Sequence, residues 1–447
     1  MGARAQMSEA SIEMLERDDV LALQQGKLAS LGKRLAGSRE WRAHFARAGL
    51  KPEDLADRHA LEAVPTLEKS DLRELYPFPF LTVPSDTVQR FFATSGTTGL
   101  PILFGFTERD VEVLLRGQVG RILRAVGIGP GDRVYQGYGY GTWIGGSALD
   151  EGIKAVGATN FPIGPGRGEL AVRWVADHGY TGCSISPLWM MTLIDIARRQ
   201  GMDPKRDWKL RVGVFGGQSV SKAFKDELEA ALPDGFMAHN IYGTTEAGGP
   251  ILGVSCPYSH ERDEMHLINE DTVLTEIVDP DTLKPVSPGE SGEIVITTLD
   301  KEASPVVRWR TRDLVRLSER PHDCPCGRKG YPLIGRIIGR TDDMLKVRGV
   351  ILYPSQVEDI IAGTPGTAKE AWQIYIDRED RVLEEITVAV ERRRNAELTA
   401  DQIRESILRE THSRLGIRLN VECHDEGALP RYEAKAQRVH VRTGDNS

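Results

Sequence analysis

Three short strings bring hydroxyls, carboxylates and free backbone amides together in patterns suited to phosphate chemistry. In FFATSGTTGLPILFGFT, residues 91–107, Thr94, Ser95, Thr97 and Thr98 supply hydroxyls, while Gly96 and Gly99 let main-chain amides approach an anion closely. This is a phosphate loop by composition, with a polar turn after a strand as the alternative; no GxxxxGK[ST] occurs in the chain, and GYGYGTWIGG near residue 140 fails the GxGxxG spacing of a dinucleotide fold. In HNIYGTTEAGG, residues 239–249, Tyr242 offers a ring to stack on a base, Thr244 and Thr245 offer hydroxyls, and Glu246 offers an oxygen ligand for Mg²⁺. In VVRWRTRDLVRL, residues 306–317, Asp313 stands among Arg308, Arg310, Arg312 and Arg316. One carboxylate can accept both hydroxyl protons of a sugar diol, or it can serve as an ion-pair partner to those arginines.

Such groups need a scaffold of some size, and 447 residues with 40% hydrophobic and 27% charged content predict a folded protein of two or three units. The balance of 57 basic against 65 acidic residues, net −8, argues against nucleic acid or an anionic membrane as the main partner and favours a small molecule. No apolar run approaches the roughly 20 residues that cross a bilayer, and the opening MGARAQMSEASIEMLERDD lacks a secretory-type apolar stretch, so a cytoplasmic protein is expected. Apolar residues from Asp110 to Val126 recur at helical spacing. Helices are also predicted at Leu188 to Arg199 and Ser219 to Leu232, alternating with strands at Leu210 to Phe215 and Met237 to Tyr242. That alternation predicts an α/β core. Strand patterns at Thr272 to Val278 and Gly292 to Leu299 predict a mainly β subdomain. Helices at Ser355 to Ala362 and Ala400 to Leu415, alternating with strands at Ala371 to Tyr375 and Glu385 to Glu391, predict a small α+β unit at the carboxyl end.

Two further strings complete a set of five: GRTDDMLKVRGVILYPSQVEDI, residues 339–360, and ALPRYEAKAQRV, residues 428–439. In this order the five strings resemble the adenylate-forming superfamily of acyl-CoA synthetases, adenylation domains and luciferases, and within it the phenylacetate-CoA ligase family. The resemblance implies a large amino-terminal domain of several subdomains, residues 1–339, and a small mobile α+β carboxyl-terminal domain, residues 340–447. It also implies a two-step reaction: a carboxylate and ATP give acyl-adenylate and pyrophosphate, then a thiol takes the acyl group and releases AMP. Carried over position by position, Thr94, Ser95, Gly96, Thr97, Thr98 and Gly99 hold the β- and γ-phosphates. Tyr242 stacks on adenine within a nucleotide-binding set that includes Gly217, Gln218, Gly243 and Thr244. Thr245 meets the α-phosphate, Glu246 ligates Mg²⁺, Asp313 binds the ribose, and Arg340 reaches the ribose or a phosphate. Asp342 is the hinge. Lys435 contacts the carboxylate and α-phosphate during adenylation, while Arg348 and Gly349 face CoA in the second step.

The chain departs from the family pattern at Leu100, where a lysine is common, at Gln218, where glutamate is common, and at Ala434, where glycine often precedes the terminal lysine. Loss of a cation at position 100 points to weaker ATP binding. The acid is expected to be a small aryl or arylacetic carboxylate, with Tyr138, Tyr140, Trp143, Phe215 and Gly216 forming its pocket; packing of the same rings in the core is the alternative. The five cysteines are too few for a disulfide framework in a chain of this length. Cys256, Cys324 and Cys326, with His266 preferred over His260 as fourth ligand, match a tetrahedral structural Zn²⁺ set, against the alternative of unliganded thiols. The resemblance implies ATP, Mg²⁺ and coenzyme A as the cofactor and substrate set, with a structural Zn²⁺ left open against unliganded thiols. A carrier-protein thiol remains an alternative acceptor, a silent adenylate-binding protein an alternative function, and a second copy of the chain an open partner.

Overall fold

The structure is a computed structural model that describes residues 12–443 except 79, 95–100, 218–219, 344, 348–349, 380–382, 418 and 433–436. Near the amino end, helices Arg17–Leu35 and Arg39–Ala46 bury Leu28, Leu31, Leu35, Trp41 and Phe45 in the main core. Strands β1 (Arg90–Ala93) and β2 (Leu103–Phe106) then form an antiparallel pair on either side of the hydroxyl loop. The helix expected from Asp110 spans Glu108–Ala125, with a π-helical stretch at Val111–Gln118. In the wider turns the adjacent Leu114 and Leu115 are both fully buried.

The next strands are β3 (Arg133–Gln136), β4 (Thr159–Pro162), β5 (Gly182–Ile185), β6 (Val212–Phe215), β7 (Met237–Thr244), β8 (Gly249–Val254) and β9 (Glu264–His266). After β10 (Val273–Val278), β11 (Ser291–Thr298) and β12 (Trp309–Arg316) comes β13 (Leu333–Gly335). An eight-stranded sheet runs β13-β9-β8-β7-β6-β5-β3-β4, parallel from β7 through β4 and antiparallel beyond β7. Alternation along the parallel strands feeds two cores, with Val134 and Val214 on one face and Tyr135 and Phe215 on the other. The chain passes from β3 to β4 on one side and then to β5 on the other. This leaves a crevice at the carboxyl ends of the strands, where open α/β sheets bind ligands.

A second sheet, β10-β11-β12-β14, is antiparallel, and β14 (Gly339–Arg340) sets Arg340 directly opposite Asp313. Beyond it, β15 (Leu345–Val347) and β16 (Val350–Leu352) form a hairpin. Strands β17 (Thr367–Glu379), β18 (Leu383–Arg392), β19 (Asn420–Asp425) and β20 (Val439–Thr443) form a sheet in the order β19-β18-β17-β20. Helices Pro354–Gly363 and Ala400–Leu415 pack on this sheet around Ile360, Trp372, Val388 and Ile407, a core separate from the other two.

The seam between this unit and the rest is mostly ionic. Glu227 receives Lys369 at 3.1 Å and Arg393 at 3.0 Å, and Arg336 pairs with Asp359. Tyr432 adds an apolar contact by packing against the second core. Among the described residues no helix is long and apolar enough to cross a membrane.

Candidate active site

The carboxyl end of β7 delivers Tyr242, Gly243 and Thr244 to the crevice. Tyr242 is nearly buried, and its hydroxyl donates to Asp313 Oδ2 at 2.7 Å. Burial, reinforced by the Asp313 charge, raises the phenol well above its ordinary pKa, so it is a donor at neutral pH. Arg340 donates through Nη1 to Asp313 Oδ1 at 2.9 Å, and through Nε and Nη2 to the two Asp342 oxygens at 2.8 and 2.9 Å. Although burial opposes it, the hydrogen bond from Arg340 holds the Asp342 carboxyl below its usual range. Sequence-distant Tyr242, Asp313, Arg340 and Asp342 thus form one chain of charge-assisted hydrogen bonds, which the facing register of β12 and β14 makes possible.

Gly243 admits no side chain, because a Cβ there would stand 2.0 Å from the Gly249 carbonyl oxygen. The turn that follows is closed by Thr244, whose hydroxyl accepts from Ala247 N at 3.2 Å. Thr245 and Glu246 are nearly buried within it. Lys301 Nζ donates to the Glu246 carbonyl at 2.9 Å; burial lowers this ammonium to about 8, against the opposing charges of Asp110 and Glu246. Nothing in the run TLDKEAS separates Lys301 from a solvated charge, and sequence reasoning missed it. Thr94 closes the base of the hydroxyl loop: its amide donates to Ile102 O at 3.0 Å and its hydroxyl accepts from Ile102 N at 3.3 Å. Ser95, Gly96, Thr97, Thr98, Gly99, Gln218, Arg348, Gly349 and Lys435 lie outside the described residues.

Beside Thr244 opens a cleft of about 370 Å³, its solvent-open mouth included. Tyr138, Trp143, Ile144, Leu149 and Ile241 form its apolar wall. Gly216 and Gly217 present backbone, with Gly217 at φ +83°. The Tyr138 hydroxyl accepts from Gly216 N at 2.8 Å and donates to Ile185 O at 2.8 Å, so its polar end is satisfied and its ring is left to face the cleft. The edge of Trp143 packs on that ring at 5.6 Å between centroids. Tyr140 and Phe215, both expected in the acid pocket, are not among the described residues that line this cleft. Tyr140 is 44% exposed and faces Asp150 and Asn160; burial and then Asp150 raise its phenol to about 12. Phe215 follows the alternation of β6 onto the opposite face, where it meets Phe236 at 6.5 Å.

Some distance along the chain, Cys256, His266, Cys324 and Cys326 place their ligand atoms within 4.8 Å of one another. The Cys256 and Cys324 sulfurs are 3.6 Å apart, close to the ~3.7 Å edge of a tetrahedron with Zn–S bonds of about 2.3 Å. His266 Nδ1 lies 3.1 Å from the Tyr331 carbonyl, which directs the Nε2 lone pair at the sulfurs, with Cys326 Sγ at 3.2 Å. Hydrogen bonding from Cys326 outweighs burial and pulls the Cys256 thiol down toward thiolate. These residues fit a closed zinc site. His260 lies outside it, paired with Glu229 at 3.0 Å.

Comparison with known proteins places this geometry. The AMP-binding enzyme model matches residues 60–299, and the model for the AMP-binding enzyme C-terminal domain matches residues 349–442. The phenylacetate-coenzyme A ligase of Thermus thermophilus is 36% identical, covering 97% of this chain and 99% of that protein. The Escherichia coli enzyme of the same name is 35% identical over 96% of each. Among solved structures, 2-hydroxyisobutyryl-CoA ligase in its postadenylation state, bound to its acyl-adenylate, superposes with a TM-score of 0.87 at 25% identity, covering 99% of this chain and 94% of that one. The same enzyme in its thioesterification state with CoA gives 0.70 at equal coverage and identity. From matches that run nearly end to end and include both domains, the chain belongs to the phenylacetate-coenzyme A ligase family of AMP-binding enzymes, and it is an AMP-forming acid–CoA ligase that works through an acyl-adenylate.

Proposed function

We propose that the acid is a small aryl or arylacetic carboxylate, held against Tyr138 and Trp143 and activated at the Thr244–Gly248 turn. The observation that carries this reading is the cleft itself, an aromatic and aliphatic wall beside the nucleotide turn with no charged residue among the described residues lining it. The names of the curated relatives point the same way.

In the adenylation step two anions must meet, so the residues act chiefly by position and charge. Asp313 accepts from the ribose hydroxyls, Tyr242 lies against adenine, and Arg340 ties Asp313 to the small domain. Thr245 donates to the α-phosphate, and Lys435 neutralises charge where carboxylate and phosphate meet. The Thr94–Gly99 loop holds the departing pyrophosphate. The near-buried Glu246 carboxylate is a hard oxygen donor suited to Mg²⁺, which when bound offsets triphosphate charge. For thiol attack, the unit beyond Asp342 turns about that residue, withdraws Lys435 and brings Arg348 and Gly349 to the CoA side. Cys256, His266, Cys324 and Cys326 would hold a Zn²⁺ that would tie the segment after β8, β9 and the 324–326 turn together and take no part in the chemistry.

The test is carboxylate-dependent pyrophosphate release across a panel of aryl, arylacetic, aliphatic and hydroxy acids, repeated with CoA and with holo-carrier protein as acceptor. Release and thioester formation with aryl or arylacetic acids and CoA are expected. A preference for short hydroxy acids, or transfer to the carrier alone, overturns the substrate or the acceptor assignment.

A further inference from the structure

Lys301, just beyond β11, is fully buried. An ammonium removed from water is retained only where other groups hold it, and three separate pieces of the fold do so here. Its Nζ donates to the Glu246 carbonyl at 2.9 Å. It also stands 4.6 and 4.7 Å over the Phe104 and Phe106 rings, both on β2, the strand leading out of the hydroxyl loop. Asp110, at the start of the long helix, provides the opposite charge. The Asp110 carboxylate is itself fixed by the amides of Thr107 at 3.0 Å, Glu302 at 2.5 Å and Ala303 at 3.0 Å, so the segment carrying Lys301 is clamped on its far side.

We propose that Lys301 is a positioning residue for adenylation: it fixes the Thr244–Gly248 turn to the strand that leaves the hydroxyl loop, and so sets where the Glu246 carboxylate stands. It acts through the Glu246 main chain and touches no substrate. This role rests on the reading of Glu246 as the Mg²⁺ ligand. Without its donor the Glu246 carbonyl is a buried acceptor with one bond lost, and the turn relaxes relative to β2. The apolar wall of the acid cleft (Tyr138, Trp143, Ile144, Leu149 and Ile241) comes from other segments and is left as it was, although Thr244 of the turn borders the cleft.

The experiment titrates Mg²⁺ in the carboxylate-dependent pyrophosphate release assay on the full chain, comparing Lys301→Met, which matches length but lacks charge and donor, with Lys301→Arg, which keeps both. Lys301→Met is expected to need about tenfold more Mg²⁺ for half-maximal adenylation, the scale of one lost hydrogen bond to a buried group. Its KM for the acid and its thioester formation from supplied acyl-adenylate should be unchanged, and Lys301→Arg should recover most of the Mg²⁺ response. Should Lys301→Met fail to fold, the shorter neutral Lys301→Gln is read in the same titration. An unchanged Mg²⁺ requirement, or equal loss in both half-reactions alongside lowered thermal stability, overturns the role. Glu246→Gln is titrated in parallel: if it leaves the Mg²⁺ requirement unaltered, the ligand assignment fails, whereas a rise there with none in the Lys301 variants sinks only the positioning role.

Discussion

Tyr242 Oη donates to Asp313 Oδ2 across 2.7 Å, so a residue on β7 and a residue on β12 are joined before any nucleotide arrives. The ring assigned to adenine and the carboxylate assigned to ribose therefore act as one unit. Asp313→Ala should weaken nucleotide binding by about 1.5 to 3 kcal/mol, the range for hydrogen bonds to a charged group, and Tyr242→Phe by about 0.5 to 1.5 kcal/mol. Calorimetric titration with AMP reads both, and an unchanged Kd in the Asp313 variant would show that it serves only Arg340 and Tyr242.

The acid cleft is tested at Trp143, which packs on Tyr138 from the open side. Trp143→Ala should raise KM for an aryl acid about tenfold through lost ring contact, with KM for ATP little changed. Equal effects on both constants would place Trp143 in the scaffold.

Metal analysis of protein purified without added metal should find about one zinc per chain. Cys324→Ser should lower thermal stability while leaving the folded fraction active, because none of the four cluster residues is assigned to nucleotide or acid. Full stability and activity in a metal-free preparation would remove the site.

The two half-reactions separate at Lys435 and Gly349. Lys435→Ala should slow acyl-adenylate formation by about 10²- to 10³-fold, the scale for one electrostatic stabiliser, and spare thioester formation from supplied acyl-adenylate. Gly349→Leu should do the reverse, obstructing only thiol attack. Parallel losses in both steps for either variant would contradict their assignment to alternating arrangements.

Acid sensitivity should trace in part to His239. Burial, with the nearby His260 charge second, lowers its pKa to about 4 from an ordinary 6.5. Between those values the unfolded chain binds a proton that the folded chain refuses, so stability is lost as pH falls from 6.5 toward 4, by up to about 3 kcal/mol. Urea unfolding at pH 7 and pH 5 should show a smaller difference in His239→Gln than in the parent.

The α/β alternation, the β subdomain and the carboxyl-terminal unit were legible in the sequence because period and turn residues are local signals. The helix Ala400–Leu415 matches its expected limits, since Thr399 caps it and Gly416 ends it in a left-handed turn. Cys256, His266, Cys324 and Cys326 were legible as a set because thiols and imidazoles are few. What the sequence could not convey is direction. Tyr140 looks like Tyr138 in GYGYG yet faces the other way, and Phe215 lies beside Gly216 yet enters the opposite core. Lys301 was hidden for the same reason, since its burial is decided by β2 and the Glu246 turn, both distant in the chain.

The seam at Glu227 carries a consequence for how the enzyme divides its time. Its partners Lys369 and Arg393 are long, partly solvated side chains, and such pairs contribute only about 0 to 1 kcal/mol each. At about 0.15 M salt their reach has already shrunk to about 8 Å, and it shortens further as ions are added. Dissolved salt therefore loosens the docked arrangement without disturbing any of the three apolar cores. On the proposed reading of two alternating arrangements, the buffer's ionic strength is therefore expected to act as a dial on the ratio of adenylation to thioester formation, turned from outside the active site.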